Sequence, residues 1–292
     1  MRRIIINADD FGLTQGVNRA VIQLHQGGIL SSATLMANAA ETGRAIQLAL
    51  QTPGLGVGCH VVLVDGSPVL PPSEIPTLID PGTGQFHRKL TTFLRLLLLG
   101  RIHPRDILLE ASAQIAHLTT RGLHLTHIDT HKHTHMFPAV LRPLLQTARA
   151  LGIFAVRNPF EPLWSRRATP TASLSRRIEV KLLHRLEPSF QRIVHKEGFT
   201  TTDGSLGVLA TGSLTAETID FLLRSMPHGT WELVTHPGYN DADLESVNTR
   251  LKESRETERQ ALLAVGHSLN AELVNFAAIA GAGTSGTGTP IP

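Results

Sequence analysis

Between Thr126 and Pro138 the chain reads THIDTHKHTHMFP, which gathers His127, His131, His133 and His135 around Asp129 in one short segment. Clustered imidazoles beside a carboxylate are the side chains that hold a divalent metal ion. On an extended backbone these five residues share one parity and face one way; on a helix His127, His131 and His135 fall on one face at four-residue spacing. Spacing alone fits both. The β-branched Thr126, Ile128 and Thr130 favour a strand at the start, and Pro138 suits the first turn of a following helix, so His131 is expected at a strand's carboxyl end. A histidine-rich surface loop would account for any one of these rings, but four beside an aspartate make a site the better reading.

Other groups with chemical capacity lie at the ends of separate apolar runs: Asp9 and Asp10 after Ile4-Ile5-Ile6, His60 within LGVGCHVVL, Arg157 after Phe154-Ala155-Val156, and His236 after Trp231–Thr235. In parallel α/β folds the carboxyl ends of the strands gather on one face, so these scattered segments are expected to converge on one pocket. Asp10, His60 and His131 could then supply one oxygen and two nitrogens to a divalent cation, with positions left for water and substrate. Zinc, iron, cobalt, nickel and magnesium all fit at this point, as does the two-histidine, one-carboxylate set of non-haem iron oxygenases. Neighbours on an extended segment point apart, so Asp9 and Asp10 should have separate roles, one for metal and one for protons. His236 could serve as a general acid, and Arg157 could hold a carboxylate base by charge-assisted bonds. The bland alternatives are a helix cap for the aspartates, a core histidine at 60, a strand-end histidine at 236 and a surface cation at 157.

The elements that must position these groups alternate. A strand at Ile4–Ile6 and a polar turn through Gly12 precede a helix with Val17, Ala20, Val21 and Leu24 at helical spacing, closed by Gly27-Gly28. A strand over Ser32–Met36, a helix over Thr42–Leu50 and a strand over Leu55–Leu63 follow, the glycines of the last allowing close backbone approach. From Asp65 to Gly84 proline, glycine and serine indicate a long loop, and long loops in compact domains usually carry function. Helices are expected from about 89 to 99 and 104 to 121, then Val140–Leu151, Thr215–Met226 and Leu244–Leu269, with strands at Phe154–Val156, Trp231–Thr235 and Leu273–Phe276. The chain reads as one domain over 1–280, with an arginine-rich lid or insertion near 161–200 and a disordered tail over 281–292.

Of the 292 residues 41% are hydrophobic, enough for a buried core, and a formal net charge of +3 with one Tyr and two Trp gives no stacking pattern for nucleic acid. The single cysteine, Cys59, excludes an internal disulfide and fits a reducing compartment. The apolar run in MRRIIINADD is too short for a signal peptide, and Phe93–Leu99 is too short to span a bilayer. The expectation is a soluble, cytoplasmic protein.

Together NADDFG at 7–12, GCH at 58–60, THIDTHKHTHMFP at 126–138 and THPGY at 235–239 resemble the YdjC-like carbohydrate deacetylase family. VDGSPVLPPSEIPTLID at 64–80 and VRNPFEP at 156–162 resemble more narrowly its hopanoid-biosynthesis-associated HpnK branch. The resemblance implies an α/β fold, a deformed (β/α) barrel related to polysaccharide deacetylases, that removes an N-acetyl group from an amino sugar with one divalent metal ion, zinc or magnesium. By motif position it implies Asp10, His60 and His131 as metal ligands, with His135 or His127 next in line for His131, Asp9 as the base and His236 as the acid. The narrower resemblance implies N-acetylglucosamine linked to a hopanoid lipid and peripheral contact with the inner membrane surface, for which Phe93 and leucines 94 and 96–99 beside Arg88, Lys89, Arg95 and Arg101, with the later arginine-rich segment, give modest support. A homodimer is compatible with it. The competing functions are deacetylation of a soluble chitooligosaccharide, oxidation by non-haem iron, and a histidine-rich metal-binding protein.

Overall fold

The computed structural model describes residues 1–169, 178, 181–266 and 270–280. The tail expected over 281–292, residues 170–177, 179 and 180 of the expected insertion, and the last residues of the helix expected to reach Leu269 lie outside the described residues.

The chain opens with the alternation expected: β1 (Arg2–Phe11), α1 (Gln15–Gln26), β2 (Ser32–Leu35), α2 (Thr42–Leu50) and β3 (Gly56–Val61). Local signals act as their chemistry dictates, since Thr14 caps α1 by accepting from the Val17 N–H at 3.2 Å. After a long connection come α3 (Leu90–Leu98), α4 (Pro104–Thr119), β6 (Leu125–Thr130) and α5 (Pro138–Ala150), with Pro138 in the first turn of α5. The connection carries a small antiparallel pair, β4 (Ile79–Asp80) and β5 (Gln85–Phe86). The remainder supplies α6 (Glu187–Lys196), β7 (Gly204–Leu206), α7 (Ala216–Ser225), β8 (Gly229–Thr235), α8 (Ala242–Ser246), α9 (Lys252–Val265), β9 (Glu272–Leu273) and α10 (Ala277–Ala280).

The main sheet is parallel, in the order β6-β3-β2-β1-β8-β7, with β9 beside the start of β1. It curls into a deformed (β/α) barrel. Parallel bridges Ile128–Val156 and Ala155–Thr200, and the Ser205 N–H donated to Phe160 O at 3.0 Å, carry the sheet from β6 back toward β7. Side chains alternate between two environments. Ile4, Ile6, Ala8, Val57, Cys59, Val61, Ile128, Trp231 and Leu233 join the core beneath the helices. Ile5 faces the other way, into a small apolar cluster with Ala155, Phe276 and Ile279. On that inner side the strands then turn polar, with Asn7, Asp9, His60, Asp129 and Glu232 all buried.

Four expectations change. The polar turn after Ile6 is strand: β1 runs on to Phe11, with an irregular register between Ala8 and Phe11 and Asp10 at φ +64°. Phe154–Val156 contributes bridges rather than a full strand, because its neighbours at 128 and 200 meet it only briefly. The long helix from Leu244 is two, α8 and α9, since Val247 turns to an extended backbone at ψ 136°. Of the strand expected at Leu273–Phe276 only the start is strand, and Phe276 turns inward ahead of α10.

Candidate active site

Asp10, His60 and His131 meet at the carboxyl ends of β1, β3 and β6. Asp10 Oδ1 lies 3.5 Å from His60 Nε2 and 3.4 Å from His131 Nδ1, and the two ring nitrogens are 3.3 Å apart. Asp10 and His60 are buried, whereas the His131 side chain keeps 21% of its exposure and marks the open side. Asp10 Oδ1 is buried without a hydrogen-bond partner. An orphaned carboxylate oxygen faced by two imidazole nitrogens within 4.8 Å of one another fits a divalent cation with nitrogen and oxygen ligands. Asp129 fixes the orientation of His60, its Oδ1 lying 2.7 Å from His60 Nδ1. Burial alone would lower the His60 pKa, but the surrounding Asp129, Asp9 and Asp10 outweigh it and raise it to about 9.

Beside this cluster Arg157 holds Asp9 with two parallel bonds, Nη2 to Oδ1 at 2.6 Å and Nη1 to Oδ2 at 2.9 Å. Asn7 Nδ2 and Thr34 Oγ1 add donors to Asp9 Oδ1 at 2.9 and 3.0 Å. Burial opposes the charge, yet Arg157 and its hydrogen bonds hold the Asp9 carboxyl far below the usual range, so it is ionised. The same guanidinium pairs with Asp129 and donates Nε to Glu232 Oε1 at 2.8 Å. Burial in this acid-rich setting pushes Glu232 up to about 7.

His236 follows β8, with Nε2 3.8 Å from Asp9 Oδ2 and Nδ1 3.8 Å from Glu258 Oε2. Its backbone N–H donates to Glu258 Oε2 at 2.6 Å. Burial lowers the ring pKa to about 4 against the pull of Asp9 and Asp10, so the imidazole is neutral near pH 7. The structure therefore brings Asp9, Asp10, His60, His131, Arg157 and His236 together.

The other histidines go elsewhere. His127 lies flat on Phe276, ring centroids 3.8 Å apart, and His135 uses both nitrogens internally, Nδ1 with Thr130 Oγ1 at 2.8 Å and Nε2 with Arg157 O at 3.2 Å. His133 stands at φ +53° beside Lys132 at φ +57° in a left-handed kink, and its ring Nδ1 is buried without a hydrogen-bond partner.

A family profile described as YdjC-like protein matches residues 3–266. The chain belongs to that family. It is 31% identical over 280 residues to a carbohydrate deacetylase of Brevibacillus brevis, covering 94% of this chain and 98% of the relative. A carbohydrate deacetylase of Thermoanaerobacter pseudethanolicus is 29% identical over 262 residues, covering 90% and 91%. Among solved structures, a candidate cellobiose-phosphate cleavage protein of Enterococcus faecalis superposes with a TM-score of 0.73 at 26% identity, covering 95% of this chain and 98% of that one.

Three buried residues of this YdjC-like site escape a reading of the sequence: Glu232 on β8, and Arg255 and Glu258 on α9. The available signal is a charge on an apolar stripe. Arg255 and Glu258 share the face that also carries Leu262, and Glu232 is the one charged residue of β8.

Proposed function

We propose that the chain is a carbohydrate deacetylase that hydrolyses the N-acetyl group of an amino sugar at a divalent-cation site formed by Asp10, His60 and His131. The observation that carries this reading is the unpartnered Asp10 Oδ1 facing two imidazole nitrogens, next to an Arg157-held Asp9. The names of the two relatives support the reaction class.

A cation held there would polarise the amide carbonyl and acidify water. Asp9, kept ionised by Arg157, accepts the proton of the attacking water as its oxygen bonds to the acetyl carbon. Arg157 positions Asp9 and keeps it anionic. His236 is neutral at rest and lies 3.8 Å from Asp9 Oδ2, so it is placed to receive that proton and deliver it to the nitrogen as the C–N bond breaks. The products are acetate and the free amine. The test is acetate release from N-acetylglucosamine oligosaccharides by chelator-treated protein, before and after adding zinc or magnesium. Release that is equal in both cases, or absent in both from soluble and lipid-linked N-acetylglucosamine alike, overturns the proposal.

Within that class we propose a lipid-linked amino sugar, handled by a single catalytic domain over 1–280. The motivating features are the segments at 64–80 and 156–162 and the exposed Leu98 and Leu99, 79% and 58% exposed, next to Arg95 and Arg101. Among the described residues no helix is long and apolar enough to cross a membrane, so contact would be peripheral. Equal kcat/KM on soluble chitobiose and on a hopanoid-linked N-acetylglucosamine argues against the lipid, because a carrier pocket should favour the linked form.

A further inference from the structure

α9 places a fully buried guanidinium against the cation site. Arg255 Nη2 donates to Asp10 Oδ2 at 2.5 Å, while Nε and Nη1 of Arg255 are buried without hydrogen-bond partners. The surroundings are shaped to keep it there. A Cβ at Gly238 would meet the Cβ and Cδ of Arg255 at 3.2 Å, and the Gly238 N–H donates to Arg255 O at 3.1 Å. The glycine of the His236-Pro237-Gly238 turn thus clears space for the Arg255 stem. Asp10 itself is turned by its positive φ, so that its two oxygens divide between Arg255 on one side and the two imidazoles on the other.

We propose that Arg255 is a positioning residue for the cation site: by holding Oδ2 of Asp10 it leaves Oδ1 as the one oxygen that this carboxylate offers to a divalent ion. The inference rests on the reading of Asp10, His60 and His131 as the ligands. A guanidinium beside a divalent cation weakens its binding by like-charge repulsion, so what Arg255 contributes is geometry rather than affinity. A carboxylate freed from Arg255 can turn and offer both oxygens, filling a position that a catalytic site keeps open for water and substrate.

The experiment loads wild type, Arg255→Met, Arg255→Gln and Arg255→Lys with one equivalent of Co²⁺, and records the visible spectrum, affinity by chelator competition, and far-UV circular dichroism. In Arg255→Met the ion binds as tightly as in wild type or more tightly, its visible bands shift and weaken as the coordination number rises, and acetate release falls by about 10–100-fold. Arg255→Lys restores part of the wild-type spectrum. Arg255→Gln keeps a polar side chain in the buried position and gives the same reading if the methionine variant fails to fold. A wild-type cobalt spectrum in either folded variant lacking the guanidinium overturns the proposal while leaving the ligand assignment standing. If wild type binds no stoichiometric Co²⁺, or Asp10→Asn binds it unchanged, the ligand assignment fails and the proposal falls with it.

Discussion

Asp129 Oδ1 lies 2.7 Å from Nδ1 of His60, and this contact turns His60 Nε2 toward the point where Asp10 Oδ1 and His131 Nδ1 meet. A carboxylate behind an imidazole fixes both the tautomer and the direction of the ring. Asp129→Asn should therefore lower divalent-ion affinity by about 10–100-fold while the three facing side chains remain in place. Competition with a chelator measures it, and unchanged affinity would show that His60 is oriented by its strand alone.

Asp10→Ala, His60→Ala and His131→Ala should each lose metal and turnover together. Asp9→Asn keeps the side-chain shape but cannot accept the proton, so metal should stay bound while kcat falls by roughly 10²–10⁴-fold. Metal content and kcat on the same samples separate the two groups. Metal loss from Asp9→Asn would make Asp9 a ligand instead of the base.

Gly58 on β3 pairs with His127 on β6, and a Cβ there would sit 2.4 Å from His127 Cε1. Gly58→Ala should cost about 1–3 kcal/mol by overpacking, read as a lower urea midpoint. Adding His127→Ala removes the clashing ring, and the combined loss should be smaller than the sum of the two single losses. Strict additivity would mean that the sheet relaxes around the methyl group.

Burial pushes His127 down to about 3 and His135 to about 4. Above the ordinary histidine pKa of about 6.5 both folded and unfolded chains carry these rings neutral, and pH has no leverage through them. Below it the unfolded chain takes up protons that the folded chain refuses, so stability falls as pH drops from about 6.5 toward 4, by up to about 1.4 kcal/mol per pH unit for each ring. His127→Phe should flatten the acid side of a thermal-midpoint curve. A curve of unchanged slope would show that the carboxylates, not this ring, govern acid unfolding.

Much of this site is legible in the sequence because its groups lie at strand ends, where an apolar run stops and a charged or imidazole side chain begins. Asp10, His60 and His131 come from three such places, and the fold brings strand ends together whatever the loops between them do. The four histidines around Asp129 are harder. One parity is shared by all of them, but the left-handed backbone at Lys132 and His133 breaks the strand direction after His131, so equal spacing does not mean equal placement. Arg255 and Glu258 lie on a helix whose charge reads as solvated surface. Leu262 on the same face hints at burial, but the packing against the Asp10 and His236 segments is a long-range fact which local periodicity does not contain. The break after α8 escapes for the same reason, since Val247–Leu251 holds neither proline nor glycine.

Asp10 is a non-glycine residue in the left-handed region inside a strand, directly after Asp9. On a regular strand the two carboxylates would lie on opposite sides of the sheet, and the unusual backbone turns both to one pocket. One peptide unit therefore sets the separation between proton acceptor and cation seat. His60 and His131, by contrast, depend on sheet pairing across the barrel. When heat or denaturant loosens the sheet, the imidazoles should drift while the twin carboxylates stay in step, so a softened site keeps an acidic, weakly binding remnant before it vanishes.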